Sequence, residues 1–130
     1  MNFLWLIKYI IAGAGGVISL FLGGFDVFLY TLLSFMTLDY ITGVSAAIKE
    51  KELSAQSGFW GIVRKLCALS MVSIAYFIDV YLLDNCSIVR YTVIFFYISN
   101  ESISIFENTV RLGVPLPQKA KDVLKAMKGE

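Results

Sequence analysis

The side chains best suited to catalysis are scarce in this chain of 130 residues. Histidine, the commonest general base and a frequent metal ligand, is absent. The two cysteines, Cys67 and Cys86, stand far apart and match no metal-binding spacing. The serines therefore have no histidine to activate them, and no phosphate-binding loop is present. We expect a protein that is not an enzyme and that binds no metal and no cofactor.

Two carboxylates stand inside long apolar stretches. Asp39 and Asp79 each interrupt a run that is otherwise free of charge. A charge at mid-membrane costs roughly 2.5–3.5 kcal/mol on insertion scales, so such a side chain usually faces protein or water. Two interpretations remain open. Either both acids are bonded to neighbouring helices or lie at the interface, or they line a water-filled lumen in an assembly.

A stripe of polar residues recurs at helical period towards the C-terminus. Its members are Asn100, Glu101, Ser104, Glu107, Asn108 and Arg111. Their spacing places them on one face of a helix, and Glu107 is expected to pair with Arg111 at i, i+4. The stripe indicates either an interfacial helix whose polar face meets water or a face that lines a water-filled path.

The composition identifies the solvent in which these polar groups must be positioned. Hydrophobic side chains make up 58% of the chain, charged ones 16%, and the mean hydropathy is +0.74. A soluble domain carries about 25% charged residues. The composition therefore predicts an integral membrane protein, and the net charge of +1 gives no field that would attract nucleic acid.

The apolar residues divide into segments that are suited to helices. Four segments are expected to span, over residues 3–25, 27–48, 66–83 and 88–106. The fourth is weaker because it contains Arg90, Asn100 and Glu101, so it either spans, lies in the interface or lines other helices. Ala12-Gly13-Ala14 resembles a signal-peptide cleavage site, but the apolar run continues to Phe25, which favours a retained helix.

The fold class that follows is all-α, an integral membrane protein with about four transmembrane helices. We expect an N-terminal hairpin, two further helices and a short basic C-terminal helix, all within one membrane domain over residues 1–130. Five small residues are expected to let helices pack closely: Gly16, Gly43, Ala47, Ala68 and Ala75.

Basic residues suggest an orientation. They are concentrated in a predicted cytoplasmic loop over residues 49–65, where Ser57 is expected to cap the next helix, and in a predicted cytoplasmic tail over residues 112–130. This excess predicts that both termini lie in the cytoplasm. The tail lysines are expected to face lipid: Lys119, Lys121, Lys125 and Lys128.

A series of short motifs lies between residues 36 and 127. Asp39-Tyr40-Ile41-Thr42-Gly43-Val44 ends the second segment, and Arg64-Lys65 leads into the third. Tyr97-Ile98-Ser99-Asn100-Glu101 lies in the fourth, and Leu112-Gly113-Val114-Pro115-Leu116-Pro117 precedes the tail. In order and spacing these motifs resemble the toxin-secretion/phage-lysis holin family of Gram-positive phages and clostridial toxin loci. Arg64-Lys65 departs slightly from the two lysines expected in that family.

The resemblance implies a function that physical reasoning alone does not reach. Holins oligomerise in the bacterial cytoplasmic membrane and open pores or lesions that release a peptidoglycan hydrolase or a toxin. The implied partners are further copies of the chain and membrane lipid, and the released protein need not touch the holin. The alternative is a small oligomeric ion channel, transporter or membrane adaptor without a lytic role.

Overall fold

The computed structural model describes residues 2–130, and the described residues form five α-helices and no strand. The helices are α1 (Phe3–Leu22), α2 (Val27–Lys49), α3 (Ala55–Tyr81), α4 (Ile88–Arg111) and α5 (Gln118–Met127). The prediction of an all-helical protein is confirmed.

Local signals in the sequence set most helix ends. Gly23 ends α1 in the left-handed region (φ 82°), and the Asp26 carboxylate caps α2 by accepting a hydrogen bond from the Leu29 N–H at 2.9 Å. The Ser54 hydroxyl caps α3 by accepting from the Ser57 N–H at 3.1 Å. The sequence predicts Ser57 as the cap, and this is wrong, because Ser57 lies in the first turn of α3.

Helix α3 begins much earlier than the third apolar segment. The loop expected over residues 49–65 is reduced to Glu50–Ser54, because the chain from Ala55 onwards is helical. Within this helix Gly58 and Gly61 face the Tyr40 side chain of α2. A Cβ on Gly58 would lie 3.2 Å from the Tyr40 hydroxyl, so glycine permits this close approach.

Helix α4 occupies the centre of the bundle, between α2 and α3. It runs parallel to α2, since Arg90 near its start bonds Asp26 and Arg111 at its end bonds Glu50. It runs antiparallel to α3, and α2 and α3 touch each other little. The apolar core lies among these helices and includes Leu29, Leu32, Met36, Val72 and Ile94.

The expected hairpin of the first two helices is wrong. In the part of the chain that the structure describes, α1 packs on α3 and not on α2, with Phe21 against Phe77 edge to face at 6.2 Å between ring centroids. The physical reason is that α4 already covers the packing face of α2. Most of α1 remains exposed.

Within residues 2–130, three helices are long and apolar enough to cross a membrane, namely α1, α2 and α3. Helix α4 is not among them, so four spans are not established. Its 24 residues nevertheless give it a length of roughly 36 Å, similar to α2. Its polar residues are directed largely towards α2 and α3.

One arginine ties the helices together at the end of the bundle that contains Gly23 and Asp26. The Arg90 side chain donates to the carbonyl oxygens of Leu22 (2.7 Å) and Gly24 (2.9 Å) and to the Asp26 carboxylate (2.6 Å). Burial alone would raise the pKa of Asp26, but hydrogen bonds and the Arg90 charge hold it below its ordinary value. Arg90 thereby joins α4 to the end of α1 and the start of α2.

Asp79 completes this end of the bundle from α3. It is 1% exposed, and its carboxylate accepts hydrogen bonds from the backbone N–H groups of Val89 (3.1 Å) and Arg90 (2.8 Å). These groups belong to the first turn of α4, which has no side-chain cap of its own. Asp79 thus caps a neighbouring helix, as the structural interpretation of this acid expects.

Candidate functional site: a polar cavity among α2, α3 and α4

The opposite end of the bundle, here called the basic end, contains the end of α2, the start of α3 and the end of α4. Between these helices lies a cavity of about 490 Å³, called the polar cavity below. The site residues predicted from the sequence that line it are Asp39, Gly43, Ala47, Ala68, Asn100, Glu101, Ser104, Glu107, Asn108 and Arg111. The whole stripe of α4 is therefore brought together with Asp39, whereas Asp79 lies at the other end of the bundle.

Lys65 is the central cation of the polar cavity. Its ammonium group donates to Asp39 Oδ2 and to Glu101 Oε2, both at 2.7 Å. The side chains of Lys65, Asp39 and Glu101 are only 19%, 16% and 11% exposed. One lysine of α3 thus bridges an acid of α2 and an acid of α4, and these three residues are called the Lys65 triad below.

Lys65 is not among the site residues predicted from the sequence. The prediction places it in the loop because the third apolar run begins only at the next residue. With α3 starting at Ala55, Lys65 instead lies roughly three turns inside a helix. The signal that could have placed Lys65 in the helix is that it directly adjoins this run, so that a short N-terminal extension of the helix includes it.

Asn108 joins α4 to α2 beside the Lys65 triad. Its amide Nδ2 donates to Asp39 Oδ1 (2.9 Å), to the Asp39 carbonyl (3.1 Å) and to Thr42 Oγ1 (3.0 Å). Gly43 allows this approach, since a Cβ there would lie 3.4 Å from Asn108 Nδ2. The Asp39 carboxylate therefore has partners on both oxygens within one chain.

The rim of the polar cavity is held by ion pairs that differ from the expected one. Arg111 pairs with Glu50 (2.9 Å), not with Glu107, and its hydrogen bond lowers the pKa of Glu50. Glu107 pairs instead with Lys128 beyond α5 (2.7 Å), which raises the pKa of Lys128. The expected Glu107–Arg111 pair is wrong because each side chain finds a partner from another element.

The small residues expected at helix contacts divide into two groups. Ala68 and Ala75 are buried, and Ala47 is half-buried at the polar cavity. Gly43 meets Asn108, as described above. Gly16 is different, because a Cβ built on it meets no heavy atom within 4 Å. Gly16 therefore supports no close helix contact within the described chain.

The chemistry available at the polar cavity is electrostatic. Among the described residues no three acids or thiols are grouped as metal ligands. The charged groups of the Lys65 triad satisfy one another, and Asn100 remains exposed along the same wall. The arrangement provides a hydrophilic surface inside a bundle whose outer faces are apolar.

Comparison with known proteins extends over nearly the whole chain. Residues 16–129 match the model of the bacteriophage holin family. The chain belongs to the bacteriophage holin family. The resemblance seen in the sequence motifs is thereby confirmed. The holin match covers α2 to α5 and includes every residue of the polar cavity.

Individual relatives of this holin-family chain come from bacteria and a phage. A probable holin of Bacillus phage phi105 is 35% identical over 103 residues, covering 79% of this chain and 76% of the relative. An uncharacterized 14.9 kDa protein in the nagH 3′ region of Clostridium perfringens is 42% identical over 127 residues, covering 97% and 96%. The uncharacterized protein Lmo0128 of Listeria monocytogenes is 39% identical over 119 residues, covering 92% and 84%. No solved structure matches the chain.

Proposed function

We propose that this chain acts as a holin that oligomerises in the bacterial cytoplasmic membrane and opens pores or lesions. A peptidoglycan hydrolase or a toxin would leave the cell through them without a required contact with the holin. Family membership and the phage relative support this role. The observation that carries it is the polar cavity, because it places several charged side chains within a bundle of helices suited to lipid.

The proposed membrane placement uses all four long helices. Helix α4 runs beside α2 from end to end, and its charged groups find partners on α3 and on the segments flanking α2 and α5. A polar helix whose charges are paired with protein avoids most of the penalty of facing lipid. The basic end would lie in the cytoplasm, since it carries Lys49, Lys51, Arg64 and the tail.

The proposed opening step exchanges the partners of the α4 stripe. In a single chain the acids of the Lys65 triad are satisfied by Lys65 and Asn108. When copies assemble, water can replace these partners, because a hydrophilic face is costly against lipid and stable against water. An equilibrium between the closed chain and the assembled, wetted state would then set when the membrane opens.

The test compares lysis and membrane abundance in variants of the Lys65 triad. We expect Asp39→Asn and Glu101→Gln to accumulate in the membrane near normally but to lyse cells at an altered time. Glu52→Gln, which changes an exposed acid of the α2–α3 loop, is the matched control and should lyse on schedule. The measurements are lysis curves, recorded beside membrane immunoblots and chemical crosslinking. Normal lysis times for both triad variants would contradict the proposal.

The alternative is a small channel without a lytic role, and the size of the molecules released from the cell distinguishes it from a holin. A lesion releases a folded cytoplasmic enzyme when the chain is expressed alone, whereas a narrow channel releases only ions. Retention of the enzyme with loss of potassium would support the channel and contradict the holin proposal.

A further inference from the structure

We infer that α5 is a docking surface for an anionic lipid bilayer, and that it rests on the membrane beside α4. This inference depends on the proposed membrane placement. Helix α5 has its apolar residues on one side and most of its lysines on the other. Such a basic amphipathic helix is suited to the boundary between headgroups and acyl chains.

Contacts with α4 fix the rotation of α5 about its own axis. Ala120 and Leu124 are half-buried and lie on the same side as Lys128, at i, i+4 and i+8. Lys128 is held by its 2.7 Å ion pair with Glu107 of α4. One side of α5 is therefore fixed against the bundle.

The next side of α5 is apolar and only partly covered, since Met127 lines an open pocket beside Phe96 and Ile103 of α4. Val123 is 54% exposed and Met127 is 40% exposed, and the two residues share a column with Lys119 at i, i+4 and i+8. Exposure of such apolar residues to water is unfavourable, and insertion into a bilayer interface would remove them from water. Lys119 would extend its ammonium group to the headgroups from the same column.

The charge of α5 selects the kind of membrane. Lys119, Lys121 and Lys125 form no ion pair in the described part of the chain, whereas Lys128 is already paired. A lysine near an anionic surface strengthens binding by about fivefold, so three lysines together give roughly a hundredfold. A second copy of the chain is a less suitable occupant, because each copy would bring the same excess of positive charge.

The experiment uses the full chain in lipid vesicles with one fluorescent probe. Cys67→Ala and Cys86→Ser remove the native thiols, and Val123→Cys carries an environment-sensitive fluorophore. We expect its emission to shift to the blue in vesicles that contain phosphatidylglycerol, compared with vesicles of phosphatidylcholine alone. A probe on Gln118→Cys, on the opposite side of α5, should shift much less.

Charge variants provide the matched control. The triple change of Lys119, Lys121 and Lys125 to glutamine should abolish the lipid-dependent shift, and the triple change to arginine should retain it. An emission that is independent of lipid charge, or a shift that survives in the glutamine variant, would overturn the proposal and indicate a protein occupant. Lysis is measured separately, so a chain that docks but does not lyse cells would contradict only the proposed holin role.

Discussion

At the residue scale, the Lys65 triad shows how charged groups persist inside an apolar bundle. Neither acid is left without a cation, and neither oxygen of Asp39 lacks a donor. The cost of removing one partner from such a group exceeds the value of the pair itself, because the remaining charge stays buried without compensation. This asymmetry makes Lys65 a sensitive position to change.

We predict that Lys65→Met lowers the free energy of unfolding by about 3 kcal/mol, near the lower end for a broken buried pair because these side chains keep some water contact. Lys65→Arg should lose less, since it keeps the charge. Adding Asp39→Asn and Glu101→Gln to Lys65→Met should restore part of the loss. Thermal unfolding in detergent measures all three variants, and equal stability of Lys65→Met and the natural chain would refute the importance of the triad.

Asp79 is the second residue whose role can be tested alone. We predict that Asp79→Asn destabilises the fold by about 1–3 kcal/mol, because one of the two capped N–H groups of α4 then faces an amide NH₂ instead of an acceptor. Asp84→Asn is the control, since Asp84 is exposed in the neighbouring loop. The two variants are compared by denaturant unfolding, and similar losses would show that the cap is unimportant.

At the element scale, α4 is the helix whose environment decides the topology. Its surroundings on α2 and α3 suit a span, although its composition alone does not. We predict that reporter fusions after residues 24, 52, 86 and 130 report outside, inside, outside and inside. A fusion at residue 130 that reports the same side as residue 86 would show that α4 does not cross the membrane.

The sequence predicts the elements better than their partners. The helical class, the apolar character of α1 to α3 and the polar stripe of α4 follow from composition and periodicity, which are local. The pairing of α1 with α3 depends on which face of α2 is already covered, and that is a property of the whole bundle. The sequence places the start of the third helix at Leu66, where its apolar run begins, whereas α3 starts at Ala55 and packs Gly58 and Gly61 on Tyr40.

The candidate site also contains residues that can be predicted from local sequence and residues that cannot. Asp39 and the α4 stripe can be predicted from the sequence because a charge in an apolar run is conspicuous. The role of Lys65 and the partners of Arg111 and Glu107 cannot be predicted in this way, because their ion pairs join residues that are distant in sequence. Arg90 was noted only as a weakness of α4, whereas the structure makes it the residue that joins α1, α2 and α4.

At the scale of the whole molecule, the chain has two different surfaces for assembly. Helix α1 is exposed along most of its length, packs on α3 and otherwise meets the bundle at its C-terminal end, where Arg90 of α4 bonds Leu22. The polar cavity, in contrast, lies between three helices of one chain and is partly open. A closed chain therefore presents apolar surface to lipid, and a wetted lesion requires the α4 stripe to become more fully accessible to water.

The most direct test of this transition is the reactivity of a thiol on the α4 stripe before and after lysis is triggered. In a chain with Cys67→Ala, Cys86→Ser and Ser104→Cys, we predict that a charged maleimide modifies position 104 faster in membranes isolated after triggering. Lys51→Cys, placed in the exposed loop of the same cysteine-free background, should react quickly in both samples. A separate chain that keeps only Cys67 should react slowly in both, because Cys67 would face lipid from the apolar helix α3. An unchanged rate at position 104, in membranes where triggering is complete, would contradict a stripe that faces water in the open lesion.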